Sequence, residues 1–109
     1  MPSVIPQIDR DFLLSFRSKE YNEIAADVLN CFLKDEIETN ILREMCRDAY
    51  NFTVPVEKVT DENYILRLDQ GPTASFKDFA ARMMARQVRE VMSSSPVPSE
   101  SAALCRKTR

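Results

Sequence analysis

The sequence predicts a small, mostly helical α+β fold, and three observations lead to that class. Three segments repeat their apolar residues at the three-and-four spacing of an amphipathic helix. Between the second and the third of these segments lie two short runs that are rich in β-branched and aromatic residues. A chain of 109 residues forms at most one domain, so all these elements are expected to share one small core.

Three helices are predicted in the first fifty residues. Residues 9–16 are predicted to form a short helix, and Ser18 is a typical N-cap for the next one. A longer helix is predicted over residues 19–33. Its apolar face is formed by Tyr21, Ile24, Ala25, Val28, Leu29 and Phe32. A further amphipathic helix is predicted to begin near Ile41 and to end near Tyr50.

A strand pair and a last helix are predicted after Pro55. The β-prone runs are residues 56–59 and 64–68, and the polar turn between them indicates a hairpin or two neighbouring strands. The apolar spacing then predicts a helix from Phe76 to about Met92.

The composition changes abruptly at Ser93, where a stretch of serine and proline begins. Such a stretch has no means of burying a core, and the chain ends in a short basic run. We therefore expect residues 1–92 to form the folded domain and residues 93–109 to form a disordered tail.

The composition also excludes several functional classes. Without histidine the chain cannot build a Ser-His-Asp or Cys-His system, and one glycine, Gly71, allows neither a GxGxxG nor a Walker-type phosphate loop. A net charge of -2 argues against nucleic-acid binding. Three cysteines without CxxC spacing predict neither a disulfide framework nor a metal site. The cysteine usage predicts a reducing, cytoplasmic location. No apolar run is long enough to cross a membrane, and the first residues lack the basic and apolar segments of a secretory signal.

Two sets of side chains near the predicted core receive structural interpretations. Arg82, Arg86 and Arg89 recur at helical spacing and could bind a phosphate, but a solvated helix face explains them better. Cys31 and Cys46 lie beside apolar stripes and are expected to be buried and unreactive.

A lysine at the start of the last helix has the strongest chemical signal. Ser75 stands three residues before Asp78, the spacing of a capping box, which puts Lys77 in the first helical turn. The helix dipole disfavours an ammonium there, and Phe76 and Phe79 are expected to shield it partly from water. Such a lysine loses its proton more readily, and a neutral amine is what reacts with an aldehyde. Position alone still leaves a solvated surface lysine as the alternative.

The same residues resemble a known motif. The run Gly71-Pro72-Thr73-x-x-Phe76-Lys77-Asp78-Phe79 is similar to the pyridoxal-phosphate lysine motif of threonine synthases. Residues 21–32, 35–37 and 49–55 are similar to the helices that precede this motif in that family. The resemblance extends from about residue 6 to residue 89, which is most of the chain.

The resemblance implies a fold and a chemistry. The parent fold would be α/β, the pyridoxal-phosphate-dependent fold type II of the tryptophan-synthase β-like family. Lys77 would be both the catalytic and the cofactor-binding residue, with pyridoxal 5'-phosphate as the cofactor. The family's reaction converts O-phospho-L-homoserine and water to L-threonine and phosphate, a carbon–oxygen lyase reaction of threonine biosynthesis. Asp78 would cap the helix, while Thr73 and Ser75 could serve either the cofactor or the turn and cap.

The chain departs from the family pattern on both sides of the motif. Gln70 stands where family members often have a histidine, and the Ser/Pro stretch replaces a Ser/Thr/Gly-rich loop. With one glycine, the backbone cradle for the cofactor phosphate is missing. We therefore expect an incomplete, inactive N-terminal fragment of a threonine synthase-like enzyme. The alternative is a non-catalytic helical module that binds a partner, or a second copy of itself, through exposed apolar helix faces.

Overall fold

The computed structural model describes residues 3–94, and the elements in this range confirm the predicted mostly helical fold with one strand pair. The helices are α1 (Arg10–Leu14), α2 (Tyr21–Leu33), α3 (Thr39–Ala49) and α4 (Lys77–Ser94), and the strands are β1 (Val56–Lys58) and β2 (Tyr64–Leu66). Helix α4 continues through Ser93 and Ser94, two residues beyond the predicted end. The rest of the predicted tail, residues 95–109, lies outside the described residues.

Helix α2 begins two residues later than predicted because a glutamate pair caps it. Glu20 and Glu23 form a capping box in which the backbone N–H of Glu20 donates to Oε2 of Glu23 at 2.8 Å. The prediction of a cap at Ser18 is wrong, since Ser18 ends a single 3₁₀ turn that follows α1. The chain then adopts an extended conformation at Lys19 and Glu20 before α2 begins.

The core forms where α3 packs against both α2 and α4. Leu42 and Cys46 of α3 are fully buried, and both follow from the apolar spacing of that helix. The other buried apolar residues are Ala26, Met45, Ala49, Tyr50 and Met83. Cys46 is buried as predicted, and this burial raises the pKa of its thiol to about 11. The prediction that Cys31 is buried is wrong, because this residue is only half-buried.

An aromatic cluster fastens the start of α4 to the other two long helices. The ring of Tyr50, just after α3, lies 5.2 Å from the ring of Tyr21 and 5.9 Å from that of Phe79. Phe52 packs edge-on against Phe79 at 5.3 Å. The Tyr50 hydroxyl also donates a hydrogen bond of 3.1 Å to the carbonyl oxygen of Phe79. The first turn of α4, which carries Lys77, is therefore anchored to the core.

The two strands form an antiparallel hairpin in which Val56 pairs with Leu66 and Lys58 with Tyr64. All residues of both strands are exposed, so this hairpin buries little apolar area. Outside the ladder, Arg67 bridges Glu57 and Asp69 through short ion pairs. An isolated two-stranded hairpin is marginally stable without further packing, so these charged contacts help to hold it together.

Candidate functional site

The loop between the hairpin and α4 is a tight turn. The backbone N–H of Ala74 donates to the carbonyl oxygen of Gly71 at 3.0 Å, which closes the turn. Ala74 adopts a φ of 54°, a left-handed conformation that costs a residue with a side chain roughly 1–2 kcal/mol. The chain accepts this conformation three residues before Lys77. Backbone strain of this kind persists where surrounding contacts over-determine the local structure.

Asp78 provides those surrounding contacts. Its Oδ2 accepts a 2.9 Å hydrogen bond from the Thr73 backbone N–H, and its Oδ1 accepts one of 2.8 Å from the Thr73 hydroxyl. The Thr73 N–H is the main reason why the pKa of Asp78 is lowered, while burial opposes that change. The carboxylate is almost fully buried, so it holds the turn from inside the structure.

Gly71 is required because the Asp78 side chain lies directly against it. A Cβ at position 71 would stand 2.4 Å from Oδ2 and 2.8 Å from Cβ of Asp78. Real Cβ contacts are longer than this, so any larger residue would push the carboxylate away. Gly71 belongs to the motif that the sequence shows, but its contact with Asp78 is visible only in the structure.

Ser75 caps α4 in nearly the way that the sequence predicts. Its hydroxyl oxygen accepts a hydrogen bond from the Lys77 backbone N–H at 3.3 Å, one residue earlier than in a standard capping box. The backbone N–H of Ser75 in turn contributes to the lowered pKa of Asp78. The hydroxyls of Thr73 and Ser75 are therefore used in the turn and the cap.

The Lys77 side chain is exposed to solvent, away from these contacts. Among residues 3–94, no acceptor receives a hydrogen bond from its Nζ and no carboxylate pairs with it. The expected shielding is wrong for this part of the chain, because Phe76 is 67% exposed and Phe79 packs into the aromatic cluster. The described residues thus present an accessible primary amine on a rigid helical start.

The arginines of α4 have a role that the sequence analysis missed. Arg82 donates from Nε to the carbonyl oxygen of Ala49 at 2.6 Å, and Arg86 donates from Nε to Oδ2 of Asp48 at the same distance. Both side chains also reach the carbonyl oxygen of Asp48 at 3.2 Å. The last carbonyl groups of a helix lack partners within the helix, so these arginines cap α3. The predicted solvated face is wrong for Arg82 and Arg86.

Residues 3–94 contain neither a cluster of metal ligands nor a helix that could cross a membrane. No group of three or more cysteine, aspartate or glutamate side chains lies close enough together to hold a metal ion. None of the helices in this range combines the length and the apolar character that a membrane span needs.

Comparison with known proteins places this site in a family. The sequence model described as Threonine synthase N terminus matches residues 1–50. The threonine synthase of Escherichia coli K12 has 36% sequence identity to this chain over 85% of its residues. The threonine synthase of Serratia marcescens has 31% identity over 88% of them. The chain spans about a fifth of the length of these relatives (21% and 22%).

A solved structure agrees with the sequence relatives. The structure of the Brucella melitensis threonine synthase with bound pyridoxal phosphate superimposes with a TM-score of 0.78 at 32% identity, over 85% of this chain and 21% of that one. Turn, cap and lysine therefore lie in a fold that is shared with a cofactor-bound relative. The chain belongs to the threonine synthase family, and it corresponds to the N-terminal part of that enzyme.

Proposed function

We propose that this chain provides the lysine that binds pyridoxal 5'-phosphate in a threonine synthase, and that this lysine is Lys77. One observation carries the proposal: Lys77 is exposed and its amine has no partner among residues 3–94, on a helical start where Asp78 bonds Thr73 and packs against Gly71. The family membership and the cofactor in the Brucella relative support it.

The described residues fit one part of the cofactor and not another. An exposed primary amine fits covalent attachment to an aldehyde. The phosphate of the cofactor needs several free backbone N–H groups, but those of the preceding turn are already used. Thr73 N–H donates to Asp78, and Ala74 N–H donates to Gly71. The phosphate-binding groups therefore come from a part of a threonine synthase outside this turn.

When bound, pyridoxal phosphate supplies an electron sink for amino-acid carbanions. The residues of this chain contribute binding, position and proton movement. Lys77 Nζ would hold the cofactor and would serve as the general acid–base that moves protons. Asp78 keeps the first turn of α4 at a fixed distance from the loop. The contacts of Phe79 with Tyr50 anchor the first turn of α4 to the core, so they place the backbone of Lys77.

The proposed reaction of the complete site is the conversion of O-phospho-L-homoserine and water to L-threonine and phosphate, a lyase reaction. The chain by itself is proposed to be inactive, because an exposed lysine without a phosphate cradle lacks most of the groups that position cofactor and substrate. We propose a cytoplasmic location for this chemistry.

Cofactor attachment tests the assignment of Lys77. The purified chain is mixed with pyridoxal phosphate, reduced with borohydride, and mapped by peptide mass spectrometry. We expect Lys77 to be labelled at a lower cofactor concentration than Lys34, Lys58 or Lys19, and Lys77→Ala to remove only that label. Lys58→Ala is the matched control, since Lys58 is also exposed. Labelling of Lys34, Lys58 and Lys19 that leaves Lys77 unlabelled would contradict the proposal.

A second candidate, a non-catalytic module that binds a partner, is favoured by one observation. Met84 and Val88 of α4 are exposed by 62% and 51%, although both lie in the middle of a long helix. If this were the whole function, Lys77→Ala would not lower threonine formation when the chain is joined to the rest of a threonine synthase.

A further inference from the structure

One face of α4 is apolar, exposed and continuous with Lys77. In a helix of 3.6 residues per turn, positions 77, 81, 84, 88 and 92 fall along one side. Lys77, Ala81, Met84, Val88 and Met92 occupy them, and all five are exposed. We call this surface the Lys77 face. It extends for about 22 Å along the helix, and its one charged residue lies at the N-terminal end.

The opposite side of α4 already has its partners. Met83 is 5% exposed in the core, and Arg82 and Arg86 cap α3. A soluble helix with one buried side normally carries polar residues on the other side. Helix α4 instead has a second apolar side, with Met84 62% exposed and Met92 69% exposed. That pattern is typical of a helix that is covered on both sides in its functional state.

The comparison with the solved relative indicates what covers it. The chain aligns with 21% of the Brucella threonine synthase chain, which leaves about four-fifths of that polypeptide to pack on this part. Helix α4 is also the last described element, so the next part of such a polypeptide would start beside the Lys77 face. We propose that the Lys77 face is the docking surface for the remaining four-fifths of a threonine synthase polypeptide, even when that portion is supplied as a separate chain.

Docking would also supply what Lys77 lacks, and in this respect the inference rests on the proposed function. An apolar partner surface that covers the whole Lys77 face, including Ala81 in the turn next to the lysine, would also remove water from the amine. Desolvation disfavours the charged form of a lysine and so favours the neutral amine that reacts with an aldehyde. The occupant should therefore present an apolar, uncharged surface to α4 and polar groups near Lys77.

The test uses the full 109-residue chain as one component. It is co-expressed with the Brucella threonine synthase polypeptide that lacks the matched N-terminal part, and complex formation is measured by light scattering after size exclusion. The positive control is the same polypeptide paired with its own N-terminal part. We expect a one-to-one complex that Met84→Asp and Val88→Asp weaken by about tenfold or more. Val4→Asp is the matched control, since Val4 is 75% exposed and lies off this face.

The outcomes separate the possibilities. Met84→Asp and Val88→Asp should leave thermal unfolding of the chain alone unchanged, so a loss of binding reports the surface. Equal binding by all variants, or a dimer of this chain that Val88→Asp abolishes, would overturn the inference. The inference would also be overturned if the truncated Brucella polypeptide assembled with its own N-terminal part but not with this chain. If neither pair assembles, this chain is fused to the truncated polypeptide in the natural order. Val88→Asp should then lower the melting temperature of the fusion more than Val4→Asp does, and equal effects would overturn the inference.

Docking and cofactor attachment can fail separately. Lys77→Ala should bind the partner polypeptide as well as the unchanged chain does, because it keeps the apolar part of the surface. A complex that forms without cofactor at Lys77 would support docking and contradict the proposed function. Selective attachment at Lys77 without any complex would support the proposed function and contradict docking.

Discussion

Gly71 and Asp78 are in such close contact that no side chain fits at position 71: a Cβ there would stand 2.4 Å from Oδ2 of Asp78. This contact joins the turn to the first helical turn of α4. The two residues are seven positions apart, and Lys77 lies between them. The position of the lysine therefore depends on a glycine that has no chemistry of its own.

Gly71→Ala is expected to destabilise the chain by about 1 to 3 kcal/mol, because the methyl group displaces the Asp78 carboxylate from Thr73. Urea unfolding measures the change. Ala74→Gly is the informative companion, since glycine adopts the left-handed conformation freely and should stabilise the chain by roughly 1 kcal/mol. A Gly71→Ala variant as stable as the unchanged chain would show that Asp78 does not hold the turn.

Asp78 should make stability fall in acid. Its pKa in the folded chain is lowered from the usual 3.8, chiefly by the Thr73 N–H. A lowered pKa contributes stability that is present above the unfolded value and is lost as pH falls through the folded value. The melting temperature of the unchanged chain should therefore drop more steeply below pH 4 than that of Asp78→Asn. Parallel curves for the two proteins would contradict this account.

Arg82→Ala should destabilise the chain by about 2 kcal/mol, because the carbonyl oxygen of Ala49 loses a charged donor at the end of α3. Arg89→Ala on the same helix is the matched control and should change stability by less than about 0.5 kcal/mol. Chemical denaturation of the two variants measures the difference. Equal losses of stability in the two variants would mean that the positive charge of α4 stabilises the chain, and that the hydrogen bonds from Arg82 to the end of α3 do not.

Tyr50→Phe should lower the free energy of unfolding at neutral pH and should make it less sensitive to alkaline pH. The Tyr50 hydroxyl donates to Phe79, and its loss should cost about 1 kcal/mol at pH 7. Burial first, then the nearby Tyr21 and Cys46, raise the pKa of Tyr50 from 10.0 to about 12. A raised pKa means stability that is full below pH 10 and is lost as pH rises toward 12. The gap between the two proteins should narrow over that range, as circular dichroism melts would show.

Much of the fold could be predicted because local patterns agree with the packing. The apolar spacing of residues 19–33 and 76–92 gave helices whose observed ends differ by one or two residues. The prediction of a cap at Ser18 is wrong, because Glu20 caps the helix instead and forms a reciprocal capping box with Glu23. Serine propensity alone could not show that competition.

Part of the site depends on contacts that no local pattern contains. The motif predicts Lys77 as the site lysine, but the predicted shielding by Phe79 is wrong because that ring packs against Tyr50. Arg82 was predicted to face solvent, although it reaches Ala49, thirty-three positions away. Contacts at such separation depend on how α3 crosses α4, and a single sequence does not show that crossing.

The most direct test of the central claim is an activity measurement on a chimera. Residues 1–94 of this chain replace the matched N-terminal part of the Brucella threonine synthase, and threonine and phosphate are measured with O-phospho-L-homoserine. We predict turnover by the chimera, its loss in Lys77→Ala, and its retention in Lys58→Ala. A Lys77→Ala chimera that still forms threonine at the rate of the Lys77 chimera would contradict the claim that Lys77 is the cofactor-binding residue.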